Sequence, residues 1–187
     1  LYHIYESDPR FKDIVGHPKL ISVLTSILGP NIELALNRHN LATLNLSGDN
    51  TPRLHRDILQ WSRSIVTAVI YLDDSTIENG CTWVLPGSQK LPHMPATNHG
   101  GTWFDEYMDI YGDLINQAVP VPMTAGGVLL FNSLTFHTAG ENRTNGPRTS
   151  LTFGFRSVDE LSRAQDDVSV LIAGERIQRG NDLLKRS

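Results

Sequence analysis

From Ile32 onward the chain is cut into short apolar or alternating runs, at Leu41 to Leu46, Ser64 to Leu72, Thr82 to Leu85, Val128 to Phe131 and Ser150 to Phe155. Turn-forming clusters stand between them: Ser47-Gly48-Asp49-Asn50, Glu78-Asn79-Gly80, Pro86-Gly87-Ser88 and Asn145-Gly146-Pro147. Such runs have the length and alternation of strands, and clusters rich in Gly, Pro, Asn and Asp reverse the chain. The pattern predicts a mainly β, antiparallel domain, a sandwich or jelly roll with flanking helices. No internal repeat is visible.

Helical periodicity occurs in two places. After His17-Pro18, residues Leu20, Ile21, Val23, Leu24, Ile27 and Leu28 recur at helical spacing until Gly29-Pro30 ends the segment, which predicts a packing helix. Between the strands, Phe104, Tyr107, Met108, Tyr111, Leu114 and Ile115 fall on one helical face behind the flexible run His99-Gly100-Gly101. That segment is either a lid over a pocket or a helix that covers the barrel. The polar tail from Val158 to Ser187 is expected to be helical.

Composition narrows the function classes. A chain of 187 residues with 40% hydrophobic content is expected to be a single domain over residues 1–187. The net charge of -4 with scattered Lys and Arg argues against nucleic acid and leaves a small-molecule partner. Cys81 is the only cysteine, so neither an internal disulfide framework nor a thiolate zinc site is available, and a reducing compartment, the cytoplasm, is expected. No apolar run approaches a membrane span, and the sequence bears no mark of oligomeric state. The start Leu1-Tyr2-His3 has no signal-peptide pattern, and without an initiator Met the natural N-terminus is expected to lie upstream.

Chemistry concentrates in three places. In His55-Arg56-Asp57, residues two apart at a strand end point to the same side, about 7 Å apart, and can converge on one ion. The plainer reading of that tripeptide alone is a salt-linked turn. The run Gly126-Gly127-Val128-Leu129-Leu130-Phe131 leads through Asn132 to Phe136 and on to His137, an imidazole after an apolar strand, where a hydrogen-bonded core histidine is the plain alternative. Two histidines and one carboxylate from separate strands make a facial triad suited to Fe(II), with three adjacent positions open. Arg148 opens the strand Thr149 to Phe155, expected to neighbour the His137 strand across a hairpin. A guanidinium there either holds a carboxylate such as that of 2-oxoglutarate in a bidentate grip or is a solvated rim charge.

The order His55-x-Asp57, then Asn79-Gly80-Cys81-x-Trp83-Val84-x-Pro86-Gly87-Ser88, then His137-x-x-Gly140-x-Asn142 and Arg148 resembles the phytanoyl-CoA dioxygenase family over roughly residues 20 to 156. The resemblance implies a double-stranded β-helix (cupin-like), Fe(II) held by His55, Asp57 and His137, and 2-oxoglutarate paired with Arg148. It implies a dioxygenase that uses dioxygen to hydroxylate or otherwise oxidise a small organic substrate with release of succinate and carbon dioxide. Halogenating relatives have a small residue in place of the aspartate, so Asp57 favours oxygenation. Some relatives carry a hydroxyl two residues after the distal histidine; here Ala139 stands there, and Thr67 is the candidate to supply the cosubstrate contact. Trp61 and Arg63 lie where relatives line the substrate mouth. The family's N-terminal part is expected to be missing or shortened. Two other classes stay open: a cupin-like metalloenzyme that does not use 2-oxoglutarate, and a catalytically silent binding domain of the same fold.

Overall fold

A computed structural model describes residues 1–48, 52–57, 65–91, 102–160 and 168–176. Three helices open the chain: α1 (Ile4–Ser7), α2 (Pro9–Val15) and α3 (Pro18–Leu28). Pro18 occupies the first helical position of α3, where no amide donor is needed, and Gly29 ends it at φ 92°. Leu20 and Leu24 face inward as the periodicity predicts, whereas Val23 and Ile27 are exposed.

Ten strands follow: β1 (Ile32–Asn45), β2 (His55–Arg56), β3 (Val66–Tyr71), β4 (Thr82–Val84), β5 (Thr102–Trp103), β6 (Val119–Val121), β7 (Val128–Asn132), β8 (His137–Ala139), β9 (Arg148–Ser157) and β10 (Ser169–Ala173). They form two five-stranded sheets, ordered β10-β1-β9-β3-β7 and β5-β2-β8-β4-β6, with every pairing antiparallel. This is the expected jelly roll, a double-stranded β-helix with flanking helices. Two expectations are corrected. Ser169–Ala173 of the tail is a strand on β1, where Ile172 and Ala173 pack against the larger core while Leu171 is exposed. Arg148 does not neighbour the His137 strand: β9 lies between β1 and β3 in the first sheet, while β8 belongs to the second.

The sheets are driest on their outer faces. Val66, Ala68, Ile70, Leu151, Phe153 and Phe155 point from the first sheet onto Leu20 and Leu24 of α3 and form the larger core. Behind the second sheet, Leu54, Leu85, Phe104 and Phe136 form a smaller core, with Phe104 edge-on to Phe136 at 5.0 Å. The segment predicted as one helix is a 3-10 stretch, Phe104–Tyr107, a single α turn, α4 (Met108–Tyr111), and a further 3-10 stretch, Gly112–Gln117. Phe104, Tyr107, Tyr111 and Leu114 cover the smaller core, while Met108 and Ile115 are exposed. In contact it covers the second sheet from outside. Among the described residues no helix is long and apolar enough to cross a membrane.

Outward-facing apolar residues leave the alternate positions facing the other sheet. Directly opposed strand residues share a face. The registers Thr67↔Gly154, Val69↔Thr152, Tyr71↔Ser150 and Asn45↔Arg148 therefore put Thr67, Tyr71, Ser150, Asn45 and Arg148 on one inner face. A polar interior between two dry outer layers is what positions the site.

Candidate metal centre

His55 and His137 are direct cross-strand partners on β2 and β8, and their rings lie 4.5 Å apart, centroid to centroid. Each ring is oriented by its own backbone. Nδ1 of His55 lies 3.2 Å from the carbonyl of Arg53, and Nδ1 of His137 lies 2.9 Å from that of Thr135. A carbonyl only accepts, so each Nδ1 carries the proton and each Nε2 is free to face the interior. Between them stands Asp57: its Oδ1 is 3.9 Å from His55 Nε2 and 3.4 Å from His137 Nε2. The three groups could hold one metal ion, with their ligating atoms all within 4.8 Å of one another. The donor set of two imidazoles and one carboxylate, with no thiolate, suits Fe(II).

Two further groups back the carboxylate. Thr67 Oγ1 donates to Asp57 Oδ2 at 2.8 Å, and His39 Nε2 lies 3.1 Å from the same oxygen. Thr67 Oγ1 is also 2.8 Å from Ser133 Oγ; with its one proton committed to Asp57, it accepts there. Thr67 thus holds the carboxylate, a different duty from the cosubstrate contact expected of it. His39 drew no notice in the sequence, because its inward aim depends on an irregularity of β1 that no motif marks. The amide of Asp57 donates to the carbonyl of Ser133 at 3.2 Å, fixing the chain just past β2.

Electrostatics follow from this packing. Burial works against ionisation of Asp57, but the hydrogen bonds and charges of His137 and His39 outweigh it and hold the carboxyl well below the usual range. Burial likewise opposes charge on His137, and the hydrogen bond and negative charge of Asp57 overcome it and raise its pKa. His55 is lowered, by burial first and by the neighbouring His137 second.

Arg148 reaches the same interior from the first sheet. It is 3% exposed, and among the described residues its guanidinium makes no hydrogen bond or ion pair, with Nε buried and unpartnered. Its guanidinium lies over the Tyr71 ring, 5.7 Å from Cζ to the centroid; Tyr71 is itself fixed by a 2.7 Å hydrogen bond between its hydroxyl and that of Thr82. Burial lowers the pKa of Arg148, and the opposing influence of Tyr71, Cys81 and Asp73 does not make up for the lost water. A buried guanidinium without a partner is costly and calls for a carboxylate to complete it.

The glycine-containing segments read from the sequence assemble the frame. A Cβ on Gly80, which sits at φ 79°, would collide with the carbonyl oxygen of Gly140 and the side-chain amide of Asn45. Asn45 Nδ2 donates to Gly140 O at 3.2 Å, and Asn142 Nδ2 donates to Asn45 O at 2.9 Å. Pro86-Gly87-Ser88 acts on the other side: Ser88 Oγ accepts from the amide of Phe136 at 2.8 Å, the residue before His137. Phe131 on β7 packs on the His137 ring and Trp103 on β5 beside His55, with centroids 4.5 and 5.3 Å apart. Trp103 was missed by sequence reading, although it opposes His55 directly across β2 and β5. Trp61 and Arg63 lie outside the described residues. A cleft of about 660 Å³ lined by Leu54, Trp83, Phe104 and Thr138 lies on the outer face of the second sheet, away from the His55–His137 side.

Fold and site together define a double-stranded β-helix with a His-x-Asp…His cluster. The family model described as phytanoyl-CoA dioxygenase (PhyH) matches residues 2–150, and the chain belongs to that family. Peroxisomal phytanoyl-CoA dioxygenase of Homo sapiens is 31% identical over 154 residues, covering 76% of this chain and 44% of the human protein. Phytanoyl-CoA dioxygenase domain-containing protein 1 of Rattus norvegicus is 26% identical over 161 residues, covering 80% of this chain and 54% of the rat protein. The chain therefore spans about half the length of these relatives. Among solved structures, the epimerase SnoN in complex with Fe3+, alpha ketoglutarate and nogalamycin RO superposes with a TM-score of 0.71 at 21% identity, covering 87% of this chain and 64% of SnoN. The carbocyclase SnoK from nogalamycin biosynthesis gives 0.66 at 22% identity, covering 87% and 65%. At these identities the likeness is one of fold.

Proposed function

We propose that this chain is an iron(II)- and 2-oxoglutarate-dependent dioxygenase that hydroxylates, or otherwise oxidises, a C–H bond of a small organic substrate. The observation that carries this reading is the pairing of two features in one interior: a convergent Nε2, Nε2 and Oδ1 trio, and a buried guanidinium that no described carboxylate hydrogen-bonds. When bound, Fe(II) and 2-oxoglutarate supply the activation of dioxygen, one oxygen atom going to the substrate and the other to succinate as carbon dioxide leaves.

The residues divide the remaining work. His55, Asp57 and His137 would hold Fe(II) and leave positions on one side open. Arg148 would take the far carboxylate of 2-oxoglutarate through two parallel hydrogen bonds. Charge supports the assignment: a dication, the Asp57 carboxylate, a dicarboxylate and the Arg148 cation sum to zero, which a buried site requires. Phe131 against His137 excludes water from one flank. Of the three side chains, His55 at 34% is more exposed than Asp57 at 6% or His137 at 11%, so substrate would approach past His55 and Trp103.

The test is an anaerobic titration of 2-oxoglutarate into the Fe(II)-loaded protein, followed at the metal-to-ligand charge-transfer band. The band should appear and saturate, and air should then release succinate even without added substrate. A protein that binds Fe(II) but gives neither band nor succinate is a different metalloenzyme, and one that binds no metal is a silent member of the fold.

A further inference from the structure

Strand β1 is broken where it need not be. His39 and Asn40 stand in the left-handed region at φ 62° and 50°, two successive non-glycine residues in a conformation that costs each of them sterically. The register against β9 slips on both sides of His39, between Ala35 and His39 and again between His39 and Leu41. Such a bulge re-aims side chains. Here it sends Asn40 outward, where its Oδ1 accepts from the amide of Tyr5 at 2.8 Å and its Nδ2 donates to Glu6 at 2.7 Å. It sends His39 inward, onto Asp57 Oδ2 at 3.1 Å. The helical layer thus secures a distortion whose other product is one hydrogen bond to one oxygen of the carboxylate.

That oxygen also receives the Thr67 hydroxyl at 2.8 Å, while Oδ1 alone faces the two Nε2 atoms of His55 and His137. A carboxylate oxygen has two in-plane lone pairs, and two donors occupy both. We infer that His39 is a positioning residue that, with Thr67, closes Asp57 Oδ2 and restricts the carboxylate to single-atom ligation through Oδ1. The inference rests on the metal reading proposed above. Its consequence is that one more coordination position stays free than a two-oxygen carboxylate would leave, and a cosubstrate that binds through two oxygens needs that position. His39 serves as a donor through Nε2–H, and the bulge in β1 sets its aim.

Co(II) added anaerobically to the full chain is the probe, because its d–d absorption reports coordination number and its binding needs neither turnover nor cosubstrate. His39→Asn keeps a residue that tolerates the left-handed region but is too short to reach Oδ2. It should weaken Co(II) binding by roughly 10- to 100-fold, the scale for losing a partner of a metal ligand. Its d–d bands should shift as the carboxylate turns both oxygens to the metal, and 2-oxoglutarate binding to the Co(II) form should weaken with them. His39→Gln, which restores an N–H at similar reach, should recover most of the affinity and the wild-type bands. Thr67→Val, which removes the other donor without touching β1, should move the bands in the same direction as His39→Asn. Wild-type affinity and bands in His39→Asn overturn the inference, as does equal loss in the Asn and Gln variants, which would make the effect one of packing. A wild-type protein that binds Co(II) but not 2-oxoglutarate defeats the cosubstrate reading and leaves this one standing, whereas no Co(II) binding defeats both.

Discussion

Arg148 is the residue on which the cosubstrate assignment turns, because its charge is buried at 3% exposure and takes no hydrogen bond or ion pair from the described residues. Lysine at this position keeps the cation but loses the planar fork, so Arg148→Lys should weaken 2-oxoglutarate binding while leaving Fe(II) affinity unchanged. Arg148→Ala should weaken it by about 2–5 kcal/mol, the cost of leaving a carboxylate buried and unpaired. Charge-transfer titrations of the three proteins check this, and equal 2-oxoglutarate affinity in Arg148→Ala and wild type would remove Arg148 from the site. His55 and Asp57 were legible in the sequence because their separation is fixed by two residues of strand. His137 was legible because an imidazole ends an apolar run. His39 was not, since its side chain reaches Asp57 only through a bulge that depends on Asn40 gripping Tyr5 and Glu6, 35 and 34 residues away.

At the scale of elements, the turns do more positioning than the strands. Gly80 and Gly140 approach so closely that no side chain fits between them, and Asn45 bridges them from β1, directly opposite Arg148. Gly80→Ala should therefore destabilise the fold by roughly 2–5 kcal/mol, combining a left-handed backbone that alanine disfavours with an overpacked contact. Urea unfolding would measure it, and a loss under about 1 kcal/mol would mean that the two turns can part without cost. Ser88 plays the matching part for His137. Its buried hydroxyl donates to Leu85 O and accepts from Phe136 N, so Ser88→Ala should cost about 1–3 kcal/mol by leaving that amide unpaired. The same variant should loosen metal binding in an equilibrium titration, because Phe136 carries His137. Strand runs and turn clusters were readable one by one, since each depends on local alternation and on Gly, Pro or Asn. Which strands pair was not: β9 inserts between β1 and β3 rather than beside β8, and β10 reaches β1 across the chain, and such pairings are chosen by long-range burial.

The molecule as a whole is two sheets glued to their own outer layers and joined in the middle by polar contacts. Each apolar core lies outside the sandwich, one under the helices and one under the Phe104–Gln117 segment. Across the gap run Thr67 and His39 to Asp57, Tyr71 to Thr82, and Asn45 to Gly140. A metal on His55, Asp57 and His137 would tie β2 to β8 within the second sheet and, through Thr67 and His39, bind that sheet to β3 and β1. A cosubstrate gripped by Arg148 would add β9 to the same staple. Ligands that bind only the folded state stabilise it by mass action, about 2.7 kcal/mol for each at a hundredfold excess over its Kd. Thermal melting should then rise in two steps in the absence of oxygen, first with Co(II) and again with 2-oxoglutarate, by several degrees per step for a chain of this size. Arg148→Ala should keep the first step and lose most of the second. Asp57→Ala should lose both, because it removes the ligand and both bridges that converge on it. A second step that survives intact in Arg148→Ala would place the cosubstrate carboxylate elsewhere, and a melting temperature indifferent to Co(II) would mean that the cluster does not join the sheets through a metal.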